Sequence, residues 1–260
     1  MKSPVAALFE PDSRLVGDVH ASPNVGERRG GLAASILVMH YTGMASAVKA
    51  IDWLSRPESK VSSHYVIDEA GCITQLVPER LRAWHAGVAH WAGESDINSA
   101  SIGIEIQNPG HEDGYHPFPR AQMRAVRDLA LDIVARNGIA PERVLAHSDV
   151  APLRKIDPGE KFDWRWLALA GVGHWVPAAT MRASDRSDCD PGMEQAMSSM
   201  LAAYGYGVGV DGASGPDLAT VVRAFQRHFR PARIDGIIDR STLVTLERLL
   251  DALAKGAVLH

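Results

Sequence analysis

The pattern of apolar and polar positions divides the chain into two stretches of different period. Ser35-Ile36-Leu37-Val38-Met39 is a continuous apolar run of the kind a strand buried on both faces shows, and it ends at His40. A helix is expected over 45–55. Strands follow over 63–67 and 72–76, flanking the turn 68–71 with Gly71 late in it, as in an antiparallel hairpin. A further strand over 101–106 carries Glu105 near its end and is broken by Asn108-Pro109-Gly110. Over 120–137 the apolar set Met123, Val126, Leu129, Ala130, Ile133 and Val134 keeps helical spacing, and Gly138 stands where a left-handed terminal residue is wanted. A short strand over 143–146 then delivers His147. Strands separated by helices, with one hairpin inserted, predict an α/β unit: a mixed sheet flanked by helices.

The remaining segments read differently. Residues 1–34 hold Pro23, Asn24, Gly26, Gly30 and Gly31 with little periodicity, which predicts an irregular arm wrapped on the sheet unit at 35–177. Residues 178–190 are polar and charged and read as a linker. Beyond it three helical patterns, at about 191–204, 215–229 and 240–254, predict a small all-α unit over 191–260. Val210-Asp211-Gly212 and Ile234-Asp235-Gly236, each just before a helix, form a weak repeat 24 residues apart.

Composition narrows the partners. With 260 residues, 46% hydrophobic and 22% charged, the chain can bury two cores, and disorder or fibrous repeats are excluded. Its 27 basic against 31 acidic residues give a net charge of -4, so no basic field holds nucleic acid or an anionic membrane. No window approaches the roughly 18 apolar residues of a membrane span. The start offers about five apolar residues between Pro4 and Pro11, short of the roughly 7–15 of a signal peptide. A cytoplasmic monomer is therefore expected, with a periplasmic or wall-associated protein as the alternative if the start is truncated. Two cysteines make no disulfide framework; Cys72, in a hairpin strand, is expected as a buried structural thiol.

The sharpest chemistry lies in His40, His147 and Asp157. Two imidazoles and a carboxylate are a sufficient ligand set for catalytic zinc with a fourth position open. On spacing alone the case is open, because eleven histidines generate many such triples and a strand-end histidine also serves as a hydrogen-bonded residue. The flanking sequence adds to it. His40-Tyr41-Thr42, Ser63-His64-Tyr65, Ala83-Trp84-His85-Ala86-Gly87, Ser101-Ile102-Gly103-Ile104-Glu105 and His147-Ser148-Asp149-Val150-Ala151-Pro152, followed by Lys155, Asp157 and Pro158-Gly159, occur in that order. In this the chain resembles the zinc-dependent N-acetylmuramoyl-L-alanine amidases related to peptidoglycan recognition proteins.

The resemblance implies one zinc ion per chain on His40, His147 and Asp157, Glu105 as general acid and base, and Lys155 as a cation beside the scissile carbonyl. It implies substrate contacts from His85, beside Trp84, whose aromatic face suits a sugar or peptide. His64 is either a substrate residue or a core histidine, and Asn98 and Asn108 are either peptide-binding or turn-forming. Asp163 departs from the proline of many relatives, which bears on loop stiffness. The helical unit resembles the three-helix peptidoglycan-binding module through Tyr204-Gly205-Tyr206, Asp211-Gly212, Gly215-Pro216, Ala224-Phe225-Gln226 and Asp235-Gly236-Ile237-Ile238-Asp239. The implied function is amide hydrolysis between N-acetylmuramic acid and L-alanine in peptidoglycan or muropeptides, with a noncatalytic recognition protein as the alternative. Since every implied catalytic residue precedes the linker, a chain ending near residue 182 is expected to fold and act alone.

Overall fold

The computed structural model describes residues 9–181, 191–209 and 217–256. Two short strands, β1 (Asp18–Val19) and β2 (Val25–Gly26), precede the buried strand β3 (Ile36–Tyr41), which includes His40 rather than ending before it. Then come α1 (Ala47–Leu54), the hairpin β4 (Tyr65–Ile67) and β5 (Ile73–Gln75), β6 (Arg82–Ala83), α2 (Ile97–Ala100) and β7 (Ser101–Ile106). The long helix α3 (Arg120–Asn137) leads to β8 (Val144–Ala146), α4 (His147–Val150) and α5 (Trp164–Leu169). Three more helices, α6 (Pro191–Tyr204), α7 (Leu218–Phe229) and α8 (Arg240–Ala254), form the helical unit.

Six strands make one mixed sheet in the order β1-β5-β4-β7-β3-β8. β4, β7, β3 and β8 run parallel, while β5 is antiparallel to β4 and carries β1 beside it. On one face Leu37, Met39, Ile102 and Ile104 pack against the apolar stripe of α3, and on the other Ile36, Val38 and Leu145 pack against the helical unit. Gly138 closes α3 at φ 64, the left-handed conformation its place in the pattern requires. No helix among the described residues is long and apolar enough to cross a membrane.

The structure corrects several expectations. The arm is not irregular throughout: β1 and β2 pair with β5 and β6. The buried Arg28 guanidinium pins it further by donating to the carbonyls of Glu79, Ser99 and Ser101. With few apolar residues to bury, the arm is fastened by backbone pairing and by one buried charge held on backbone carbonyls. Cys72 is exposed, because it lies one residue before β5 at the hairpin tip, where Asp68 holds its N–H. Three helices had no sequence signal. α2 and α4 are single turns, and α5 is capped by the Asp163 carboxylate, which accepts from the N–H of Trp166.

The core on the sheet face away from α3 is shared between the two units. Ala86, Trp91, Ile97, Leu145 and Val150 belong to one buried cluster with Met197, Leu201, Tyr204, Tyr206, Phe225 and Phe229. The missing side chain of Gly205 lets its backbone lie on the ring of Trp91, where an added Cβ would meet ring carbons at 2.7 Å. A chain ending near residue 182 would lay this face bare. Residues 182–190 of the expected linker, Cys189, Val210-Asp211-Gly212 of the repeat and Gly215-Pro216 lie outside the described residues.

Candidate active site

Parallel strands β3, β7 and β8 end on one edge of the sheet, where crevices of open α/β sheets bind ligands. The β3–β7 register pairs Ile36 with Ser101, Val38 with Gly103 and His40 with Glu105. Alternation therefore sets His40 and Glu105 side by side on the face away from α3. β8 passes directly into α4, whose first residue is His147. Asp157 arrives from the loop beyond α4, and its carbonyl accepts from the Ser148 N–H at 3.0 Å, joining the two segments.

At this edge His40 Nδ1, His147 Nδ1 and Asp157 Oδ2 converge. The two nitrogens are 2.9 Å apart, and the oxygen lies 3.2 Å from His40 and 3.1 Å from His147. All three residues are buried. Their outer bonds decide where the ring hydrogens sit. His147 Nε2 lies 3.1 Å from the carbonyl of Ala86, which only accepts, so Nε2 carries the hydrogen and Nδ1 is bare. The Ser101 hydroxyl donates to the carbonyl of Ile97, so it accepts from His85 Nε2 at 3.1 Å. His85 Nδ1 then accepts from His40 Nε2 at 2.9 Å, which bares His40 Nδ1 as well.

Two lone pairs and a carboxylate oxygen thus face one another with no hydrogen among them. That arrangement is repulsive unless a cation lies between them. Corners of a zinc tetrahedron with bonds of about 2 Å lie about 3.3 Å apart, close to the spacings present. Burial first, then His147, holds His40 at about 4, so its ring is neutral near pH 7. The donor set fits a divalent ion of zinc's preferences.

Glu105 stands next to this set with its Oε2 buried and without a hydrogen-bond partner. Burial, and next Asp157, push its carboxyl well above the usual range, with Lys155 opposing them. Glu105, the half-buried Lys155, Trp84 and His85 line one cleft of about 480 Å³ with the three converging residues.

The other expected substrate residues sit elsewhere. His64 is fully buried off the cleft: its Nδ1 accepts from the Gly103 N–H at 3.0 Å and its Nε2 reaches the Leu81 carbonyl at 3.1 Å, so it is the core histidine of the two readings. Asn98 is buried, and its Oδ1 accepts from the N–H groups of His85 and Ala86, fixing the strip that holds both outer partners of the imidazoles. Asn108 is also buried; it donates to the His116 carbonyl and accepts from the Gly110 N–H, shaping a cleft wall. His85 does line the cleft, but its ring nitrogens are taken by His40 and Ser101.

Sequence reasoning missed a chain at the rim. Tyr41 Oη lies 3.1 Å from His111 Nδ1, and His111 Nε2 lies 3.1 Å from Glu160. Strand alternation sets Tyr41 on the face opposite His40, where it packs against the α3-side core, and as the strand's last residue it also lines the cleft. Arg154, whose guanidinium donates to the carbonyls of Ala86 and Val88, had no sequence signal.

Known proteins resemble this chain in sequence and in fold. Residues 30–160 match the N-acetylmuramoyl-L-alanine amidase family and residues 195–246 a peptidoglycan binding domain family. Over 232 residues the chain is 38% identical to the N-acetylmuramoyl-L-alanine amidase AmiD of Escherichia coli (strain K12), covering 83% of this chain and 82% of that protein. The structure of AmiD from E. coli in complex with the substrate anhydro-N-acetylmuramic acid-L-Ala-D-gamma-Glu-L-Lys is similar at a TM-score of 0.73 and 34% identity, over 88% of this chain and 97% of that one. AmpDH3 from Pseudomonas aeruginosa, in complex with an anhydromuramic pentapeptide, is similar at a TM-score of 0.72 and 29% identity, over 97% and 98% of the two chains. In sequence and in fold, this chain belongs to the N-acetylmuramoyl-L-alanine amidase family.

Proposed function

We propose that the protein hydrolyses the amide between the lactyl group of N-acetylmuramic acid and L-alanine of the stem peptide, in muropeptides including anhydro forms, with one zinc ion held by His40, His147 and Asp157. The observation that carries this reading is the set of three bare acceptors beside an unpartnered carboxylate oxygen of Glu105. The chemistry a zinc ion supplies when bound there is polarisation of the scissile carbonyl and a lowered pKa for water. Glu105 takes a proton from the attacking water and returns it to the departing amine as the C–N bond breaks, leaving a lactyl carboxylate and a free peptide N-terminus. Lys155 balances the negative charge growing on the carbonyl oxygen. Trp84 and Trp53 offer apolar faces along the cleft for the sugar and peptide. The helical unit supplies contact with the wall polymer.

The test is mass spectrometry of products from anhydro-muropeptides and from intact sacculi. Release of free stem peptide, abolished by a chelator and restored by zinc, is the expected result. Cleavage at a sugar linkage, or release indifferent to chelation, would overturn the reading.

A further inference from the structure

The helical unit meets the sheet unit at a buried carboxylate that belongs to neither the cleft nor a wall-binding surface. Asp149, fully buried on α4, accepts the Tyr206 hydroxyl on Oδ1 at 2.7 Å. Its Oδ2 accepts from His228 Nδ1 at 2.7 Å and from the Ala146 N–H at 2.8 Å. Tyr206 and His228 both come from the helical unit, and both are held. The His228 ring is stacked on Trp164 and on Phe229, with centroids 3.8 and 3.9 Å away. Tyr206 packs edge-on against Trp91 at 4.9 Å, next to a backbone bond from the Ala92 N–H to the Gly205 carbonyl.

What Asp149 supports is a helix of four residues, too short to hold its own conformation. That single turn presents His147, and its Ser148 N–H is bonded to the carbonyl of Asp157. Two of the three converging residues therefore depend on one turn, and the carboxylate that ties this turn down is oriented by two side chains of the other unit. We propose that the helical unit is a positioning element of the metal centre, with Tyr206 and His228 acting through Asp149 on His147 and Asp157. The inference rests on the reading of those residues as a metal site, and it assigns to the helical unit a part separate from wall contact.

Zinc affinity of the full-length protein, measured by competition with a chelator, tests it, together with the absorption spectrum of the cobalt-loaded form. Tyr206→Phe keeps the packed ring and removes only the hydroxyl; it is expected to weaken zinc binding about 10–100-fold, the usual range for partners behind the ligands, and to alter the cobalt spectrum. His228→Asn, which keeps an N–H donor near the Nδ1 position, is expected to retain affinity that His228→Leu loses. Leu249→Ala, a buried truncation in α8 that takes no part in the hydrogen bonds to Asp149, is expected to lower Tm without changing zinc affinity. Folded Tyr206→Phe with wild-type affinity and spectrum overturns the inference, as does an equal loss of zinc in Leu249→Ala. Wild-type protein that takes up no metal overturns the metal reading itself, and the inference with it.

Discussion

Two buried clusters in this molecule join histidine to aspartate and differ in their hydrogen inventory. Where His40, His147 and Asp157 meet, contacts of 2.9–3.2 Å link a carboxylate oxygen to two imidazoles whose hydrogens are turned outward. Where His228 and Tyr206 meet Asp149, contacts of 2.7 Å each join a donor to an acceptor. Distance and burial alone would rank the second as the better site for an ion. Counting hydrogens reverses the order: the first set lacks a positive partner and the second is complete. The first suits chemistry, and the second suits holding two units in one arrangement.

The severest way to break this comparison is to remove one side of the complete cluster. A chain ending at Met181 strips Asp149 of two donors and exposes Trp91, Ile97 and Val150; it is expected not to fold, as read by circular dichroism and gel filtration. A monomeric, cooperatively melting product would separate the units after all. Next in size, Glu105→Gln should hold zinc normally while turnover falls by about two to four orders of magnitude. Near-normal rates would move the proton carrier elsewhere. Chelation strips the unmatched cluster alone: at zinc about 1,000-fold above its Kd, loss of the ion should lower Tm by about 10 °C in calorimetry without dissociating the helical unit. An unchanged Tm would argue that the three acceptors hold no ion.

The smallest effect is that of pH. Burial holds His174, which bonds Tyr204, at about 4 and His64 at about 3, against an ordinary value of 6.5. Below pH 6.5 the unfolded chain therefore binds protons that the folded chain refuses. Stability should fall as pH drops from 6.5, with the contribution of His174 levelling near 4 and that of His64 near 3. Melting curves at constant ionic strength from pH 7 to 5 check this; a Tm that rose on acidification would contradict it.

Much of the sheet unit was legible because its periods are long enough to read. β7 and α3 have the bounds that alternation and helical spacing predict, and the motifs around His40, His147 and Asp157 named residues that the fold brings together. What escaped is contact between residues far apart in the chain. Asp149 and His228 are separated by 79 positions, and the motif that holds Asp149 says nothing of a partner that far along the chain. His85 pointed to substrate because its neighbours are small and aromatic; its bond to His40 exists only once β3 and β7 are paired. His64 and Asn98 gave a polar signal, and burial decided what it meant.

Gly103 shows how much of the centre rests on an absence of atoms. A Cβ at that position would stand 2.7 Å from Cγ and Nδ1 of His85, so a single methyl there acts as a wedge beneath the imidazole. Tilted off its seat, His85 could no longer receive the hydrogen of His40 Nε2. The ring of His40 would then be free to swivel, and its proton to migrate to the inner nitrogen. A change of one carbon, on a strand residue that touches none of the converging atoms, would turn a lone pair aimed at a cation into an N–H aimed at the same point.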